Sequence, residues 1–339
     1  AWVFRSAGRD PSFMIGGLPR NLGMGACFTN SDIVVLEGDE YDTAFFDKRS
    51  KFLHYLPEVV TINNIEFDHA DIYDSLDEIK RTFRRLLNIV PGGGLALVNG
   101  DDPNCLEVAE GAPCPVEKLG FGPACDTRIG EVAYEETGSA FTLHGERYFL
   151  PMVGEFNVRN AAMAVASGLF AGLRPEQLRE GLASFEGIAR RQELRGVARG
   201  VRVIDDFAHH PTAIKQVVAG LRQQFPGARL WVIFEPRSNT TRRNIFQTEL
   251  AEALALADLA VVPEVPDAGK VAADERLDPE RLVREVGERG GKARYLAGVD
   301  DIAAHVAAQA GEGDVVAVLS NGGFGGLHQL LLERLAEGR

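Results

Sequence analysis

The stretch from Val201 onward most constrains what this chain can fold into. Five short apolar runs recur there at a regular interval: Val201–Ile204, Leu230–Phe234, Leu259–Val262, Ala293–Leu296 and Val315–Leu319. Segments with helical spacing fill the gaps, near Thr212–Phe225, Ile245–Leu256, Pro279–Glu288, Asp301–Ala310 and Leu327–Ala336. Strand–helix alternation at this spacing predicts a doubly wound, mostly parallel sheet. Open α/β sheets bind ligands at the carboxyl ends of their strands, which turns attention to the loops that follow them.

Three of those loops are rich in functional side chains. Asp205–Thr212 (DDFAHHPT) ends a strand in acids and opens a helix at Pro211. Glu235–Arg243 (EPRSNTTRR) is basic and hydroxyl-rich, so Arg237, Arg242 and Arg243 suit carboxylate capture. Ser320–Gly326 (SNGGFGG) carries GxxGG rather than GxGxxG, which fits a pocket of backbone amides for a carboxylate or phosphate better than a dinucleotide site.

The first half follows a similar logic. Ile33–Leu36 reads as a short strand buried on both faces, running into Glu37, Asp39, Glu40 and Asp42. Glu58–Ile62 is a second strand, running into NNIEFDHAD, which contains His69. Carboxylates at strand ends suit Mg²⁺ held against a nucleotide phosphate, and Glu37 with His69 is the expected ligand pair. A solvated acidic loop, with His69 bonded to a neighbouring carboxylate, is the alternative. Ala1–Gly8 resembles the tail of a helix capped by Gly8, and Ser12–Ile15 a short strand. Ser75–Ile89 has helical spacing, with Ser75 as N-cap and Glu78 completing a capping box. Leu95–Val98 is another buried strand, residues 115–150 turn like antiparallel hairpins, and Asn157–Gly172 and Pro175–Ser184 are helices. Asn157 and Asn160 would share one face near a helix start, where amides can meet a base or ribose; plain capping by Asn157 explains only one of them. Arg190-Arg191 falls at the join of the two halves, suited to phosphate or to a salt bridge.

A net charge of −13 argues against nucleic acid or anionic membrane as partner. Cys27, Cys105, Cys114 and Cys125 have no CxxC spacing, and no apolar run approaches a membrane span of about 20 residues. Both point to a cytoplasmic setting.

Taken in order, VVLEGDEYD, NNIEFDHADIY, GEFNVRNA, RRQELRG, IDDFAHHPT, FEPRSNT and LSNGGFGG resemble the Mur ligase family over nearly the full chain. The resemblance implies a partial central P-loop-type ATPase α/β domain at 1–190, followed by a C-terminal Rossmann-like doubly wound domain at 191–339. It implies ATP and Mg²⁺ as cofactors, with Glu37 and His69 as metal ligands and Asn157, Asn160, Arg191 and Asp206 at ATP. Arg191 and His210 would serve catalysis, and Arg237, Asn239, Ser320, Asn321, Gly322 and Gly323 the incoming substrate. The family's phosphate loop, of the GTHGKT type, would precede Ala1, so the chain as given is expected to be inactive alone. Phe156 stands where many members carry His. The forms EGDEYDTAFFD, EPRSNT and SNGGFGG are most similar to members that join UDP-N-acetylmuramate to L-alanyl-γ-D-glutamyl-meso-diaminopimelate through an acyl phosphate, in cell-wall recycling. A monomer is expected. Members that add L-alanine, and a non-catalytic binding module, remain as alternatives.

Overall fold

The computed structural model describes residues 1–70 and 72–337. The backbone divides into two compact units, Ala1–Gly187 and Ile188–Arg339.

The first unit opens with α1 (Trp2–Ser6). Gly8, at φ 79°, closes it: its amide donates to Arg5 O at 3.0 Å, and the Arg9 amide to Phe4 O at 2.9 Å, a Schellman ending. A small sheet follows, β1 (Ser12–Met14), β2 (Ala26–Cys27) and β3 (Val34–Leu36), with β1 central. β3 is not buried on both faces as its apolar run suggested. It is an edge strand, so Ile33 and Val35 pack on the core while Val34 and Leu36 face solvent. A hairpin comes next, β4 (Asp42–Ala44) and β5 (Asp47–Ser50). Then β6 (Val59–Ile62), α2 (Leu76–Asn88), β7 (Leu95–Asn99), α3 (Pro103–Ala109), β8 (Val116–Gly120) and β9 (Thr127–Arg128) build a parallel four-stranded sheet in the order β6-β7-β8-β9.

Within this unit β7 is the centre. Ala96 and Val98 pack with α2 and α3 on one face. Leu95 and Leu97 pack on the other with an antiparallel sheet of β10 (Gly130–Glu135), β11 (Gly138–Leu143) and β12 (Glu146–Leu150), and with α4 (Glu155–Phe170) and α5 (Pro175–Ala183). Residues 115–150 are therefore hairpins only from β10 on; β8 and β9 extend the parallel sheet. The expected capping box of α2 does not form, because the Glu78 carboxylate accepts the amide of Asp74 at 3.0 Å, one residue beyond Ser75.

The second unit is one six-stranded sheet. It comprises β13 (Glu193–Ala198), β14 (Val201–Asp206), α6 (Pro211–Gln224), β15 (Leu230–Phe234), α7 (Gln247–Leu254), β16 (Leu259–Val262), α8 (Pro279–Glu288), β17 (Ala293–Tyr295), α9 (Val299–Gln309), β18 (Val315–Leu319) and α10 (Leu327–Glu337). The strand order is β13-β14-β18-β15-β16-β17, parallel except for β13. One core holds α6, α7 and α8 against one face, and a second holds α9 and α10 against the other. Only β13 escaped sequence reasoning. Arg199 and Gly200, both at positive φ, make a two-residue hairpin turn to β14.

Candidate functional site

The sheet of the second unit dictates where its site lies. The chain winds outward from β14 through β15 to β17, then returns to insert β18 between β14 and β15. The helix after β18, α10, leaves to one face, whereas α6 and α7, after its neighbours β14 and β15, leave to the other, opening a crevice at the carboxyl ends. Asp206, Ser320 and Glu235 stand side by side there: the Ser320 amide donates to Asp206 O at 3.1 Å and the Glu235 amide to Leu319 O at 3.0 Å.

These side chains are mostly held by the protein itself. Ser320 is fully buried; its hydroxyl donates to the Glu235 carboxylate and accepts the Gly322 amide at 2.9 Å. Asp206 accepts the Gln192 amide at 2.8 Å and the Ala208 amide at 2.7 Å. Burial pushes its carboxyl above the usual range, and the two amides only partly oppose that. His210 caps α6, its Nδ1 accepting the Thr212 amide at 3.3 Å, with Phe246 edge-on at 4.7 Å.

Other predicted groups face outward. Arg191 and Asn239 are exposed. Arg191 lies 5.1 Å from the Phe207 ring and enters no ion pair among the described residues. Arg237 is exposed, with Glu235 at 3.8 Å, and its stem covers Gly322, where a Cβ would lie 2.4 Å from its Cδ. Asn321 is half-buried, and its Oδ1 finds no partner. Gly323 closes no contact that a Cβ would fill. Arg242 and Arg243 do not serve capture as expected, because Arg242 is buried against Asp267 at 3.4 Å and Arg243 pairs with Glu275.

In the first unit, Glu37 and His69 do not share a sheet edge. Glu37 follows β3 of the small sheet, whereas His69 lies in the loop after β6 of the parallel one. The apolar runs gave no sign that the two strands belong to different sheets. Glu37 is exposed and its carboxylate accepts the Gly16 amide at 2.6 Å; a Cβ at Gly16 would lie 3.2 Å from its oxygens. His69, at φ 51°, places Nε2 2.8 Å from Glu40, the neighbouring-carboxylate contact that sequence reasoning held as an alternative. No cluster of three or more His, Cys, Asp or Glu side chains forms a metal cage among the described residues. Taken singly, the carboxylate of Glu37 and the imidazole of His69 are donors that a hard cation keeping waters and phosphate oxygens accepts, but His69 is engaged with Glu40 and Glu37 with Gly16.

Asn157 and Asn160 part company. Asn157 is buried and its amide donates to Val153 O at 2.9 Å, whereas Asn160 is exposed one turn on. Gly154, not Asn157, is the N-cap of α4.

Sequence reasoning missed two groups. Asp101, after β7, accepts the amides of Phe121 and Gly122 at 2.8 and 2.7 Å and meets Arg159 at 3.5 Å. Burial raises its carboxyl, but the two amides and Arg159 together hold it below the usual range. Asp205 is buried between Arg190 at 3.3 Å and His328 Nε2 at 3.2 Å, the latter off the line of an aligned hydrogen bond. Burial raises its carboxyl, and His328 and Arg190 outweigh that and lower it. The acidic run DD marked this pair, and strand alternation puts one acid on each side of the strand end, but sequence could not say which partners each would meet.

Asp206 also supplies a pH test. A carboxyl raised in the folded state adds stability that is complete below the ordinary carboxylate range and is lost as pH rises through the raised value. Urea unfolding from about pH 4 to pH 8 should therefore show wild type losing ground to Asp206→Asn as pH rises. A constant difference across that window would refute the sign.

The Mur ligase middle domain model matches residues 18–168, and the model of the Mur ligase, glutamate ligase domain, matches residues 190–322. The chain is 40% identical to the UDP-N-acetylmuramate–L-alanyl-γ-D-glutamyl-meso-2,6-diaminoheptandioate ligase of Escherichia coli K12, over 99% of this chain and 72% of that protein. It is 30% identical to a UDP-N-acetylmuramate–L-alanine ligase of Geobacter sp. M21, over 99% and 72%. Among solved structures, a murein peptide ligase from Psychrobacter arcticus 273-4 is similar at 31% identity and a TM-score of 0.70, covering 99% of this chain and 74% of that one.

Proposed function

This chain belongs to the Mur ligase family of ATP-dependent ligases, and on that premise we propose that it joins UDP-N-acetylmuramate to the tripeptide L-alanyl-γ-D-glutamyl-meso-diaminopimelate. The observation that carries the reading is the 40% identity to a ligase of that name, against 30% to an L-alanine ligase over the same share of the chain.

In this reading a muramate carboxylate oxygen attacks the γ-phosphorus of ATP, the bond to the β-phosphate oxygen breaks, and ADP leaves. The peptide amine then attacks the acyl carbon, and the tetrahedral adduct collapses to the amide with loss of phosphate and a proton. The protein contributes positioning and charge. Glu37 and His69 would hold Mg²⁺, which neutralises charge on the phosphates when bound. Arg191 presents an unpaired guanidinium to phosphate oxygens, and exposed Asn160 offers an amide to the base. By accepting the amides of Gln192 and Ala208, Asp206 fixes the backbone just after Arg191 and within the DDFAHH loop. Arg237 and the amides of the SNGGFGG loop suit the peptide's carboxylates.

The four free cysteines and net charge of −13 support a cytoplasmic protein without nucleic acid or membrane partners, and we take it to act as a monomer. No helix among the described residues is long and apolar enough to cross a membrane.

The test is phosphate release by the protein in its full-length context, with ATP, UDP-N-acetylmuramate and either tripeptide or L-alanine. Tripeptide should give the higher kcat/KM by roughly 10²-fold or more, a difference of about 3 kcal/mol in transition-state binding. Preference for L-alanine would overturn the substrate assignment, and release with neither would overturn the activity.

A further inference from the structure

Arg190 has no part in the reaction as proposed, yet the structure gives it a definite task. Its φ of 62° lies in the left-handed region that a non-glycine residue rarely takes. Two contacts secure that backbone: Glu193 accepts its amide at 2.7 Å, and its carbonyl accepts the Phe207 amide at 2.9 Å. The guanidinium turns inward. One terminal nitrogen donates to Ser320 O at 2.5 Å and to Gly322 O at 2.6 Å. Nε faces the Asp205 carboxylate at 3.3 Å, and the Phe207 ring lies 5.4 Å away. Asp205 has its own footing, since the buried His328 at the start of α10 stands 3.2 Å from its other oxygen.

Ser320, whose hydroxyl accepts the Gly322 amide, and the buried Phe324 anchor this loop at two points, and its glycines supply no others. Gly322, Gly323, Gly325 and Gly326 carry no side chains to pack, and the last two take positive φ. Such a segment is costly to order when a ligand arrives, unless the protein has ordered it beforehand. A planar fork that holds two carbonyls of the loop while resting on a buried carboxylate does that; a point charge on a flexible stem cannot reproduce it.

We propose that Arg190 is the positioning residue that pre-orders the Ser320–Gly326 loop for the incoming amine-bearing peptide, with Asp205 and His328 as its support. The proposal rests on the ligase reading above. It also divides the labour of two adjacent arginines: Arg190 faces the protein, and Arg191 faces the ligand.

Two measurements on Arg190→Lys test it, with Asp205→Asn as a second variant that leaves the arginine in place. Amide hydrogen exchange should quicken at Gly322–Gly326 and stay unchanged across β14, β15 and β18. In turnover, KM for the tripeptide should rise roughly tenfold, while kcat and the KM for ATP stay within about twofold. Asp205→Asn should move both readouts in the same direction by less. Unchanged loop exchange would overturn the clamp. Quickened exchange with an unchanged tripeptide KM would overturn its role in peptide binding. A common loss of stability and kcat, with a rise in every KM, would make Arg190 merely structural. If wild type makes no product from the tripeptide, the ligase reading falls, and the exchange measurement judges the clamp by itself.

Discussion

In the full-length context, replacing Glu37 by alanine is expected to lower ATP turnover by roughly 10³-fold or more while leaving thermal unfolding nearly unchanged, the size of loss seen when one charge-neutralising group leaves a phosphoryl-transfer site. The two halves of that expectation have separate causes. Glu37 is exposed and contributes one hydrogen bond, from an amide at Gly16 that water can satisfy instead. Its removal therefore leaves no buried group unpaired, and surface changes of this kind stay within about 0.5 kcal/mol. On the proposed reading, Glu37 serves a cation that travels with ATP, and the Gly16 contact is its hydrogen bond to the protein. Phosphate release and a melting curve on the same preparation decide the matter. Turnover at the wild-type level would remove Glu37 from the metal site.

Arg191→Ala carries the second large effect. Arg191 is exposed, makes no ion pair among the described residues, and rests against Phe207, which limits its sweep without consuming its donors. A cation placed to meet developing charge on a transferring phosphoryl group is worth roughly 10³-fold in kcat. The expected outcome is a loss of that order in phosphate release, with stability again within about 0.5 kcal/mol of wild type. Equal melting points for Arg191→Ala and wild type, together with undiminished kcat, would assign the phosphate contact to another residue.

Much of this protein was legible in its sequence, and unevenly so. In the second unit the parallel strands and helices fall close to where apolar runs and helix spacing put them. The inner strands there, β14, β15, β16 and β18, are buried on both faces and bounded by polar loops, so local pattern and tertiary role agree. β13 was lost because Glu193, Arg195 and Gly196 break its alternation, and an edge strand needs only one good face. The first unit was harder for the opposite reason. The Ile33–Leu36 run looks like a core strand, yet Val34 and Leu36 are exposed, since only the face bearing Ile33 and Val35 packs on the core. Residues Val116–Gly120 alternate like a hairpin arm, but their partner is the parallel β7.

By itself the sequence determined the inventory: which residues end strands, which open helices, where glycine permits a turn, and the ordered set of loops that marks the family. These are properties of single residues and of spacing along one strand or helix, which local sterics and burial decide. Only the tertiary structure decided how those groups are used. It sent Glu37 and His69 to different sheets, and buried Asn157 while exposing Asn160. It committed Arg242 and Arg243 to Asp267 and Glu275, and turned Arg190 inward beside an outward Arg191. The physical reason is that a charged side chain's role depends on which partner lies within about 4 Å and how much water remains, and both are set by elements far apart in the chain.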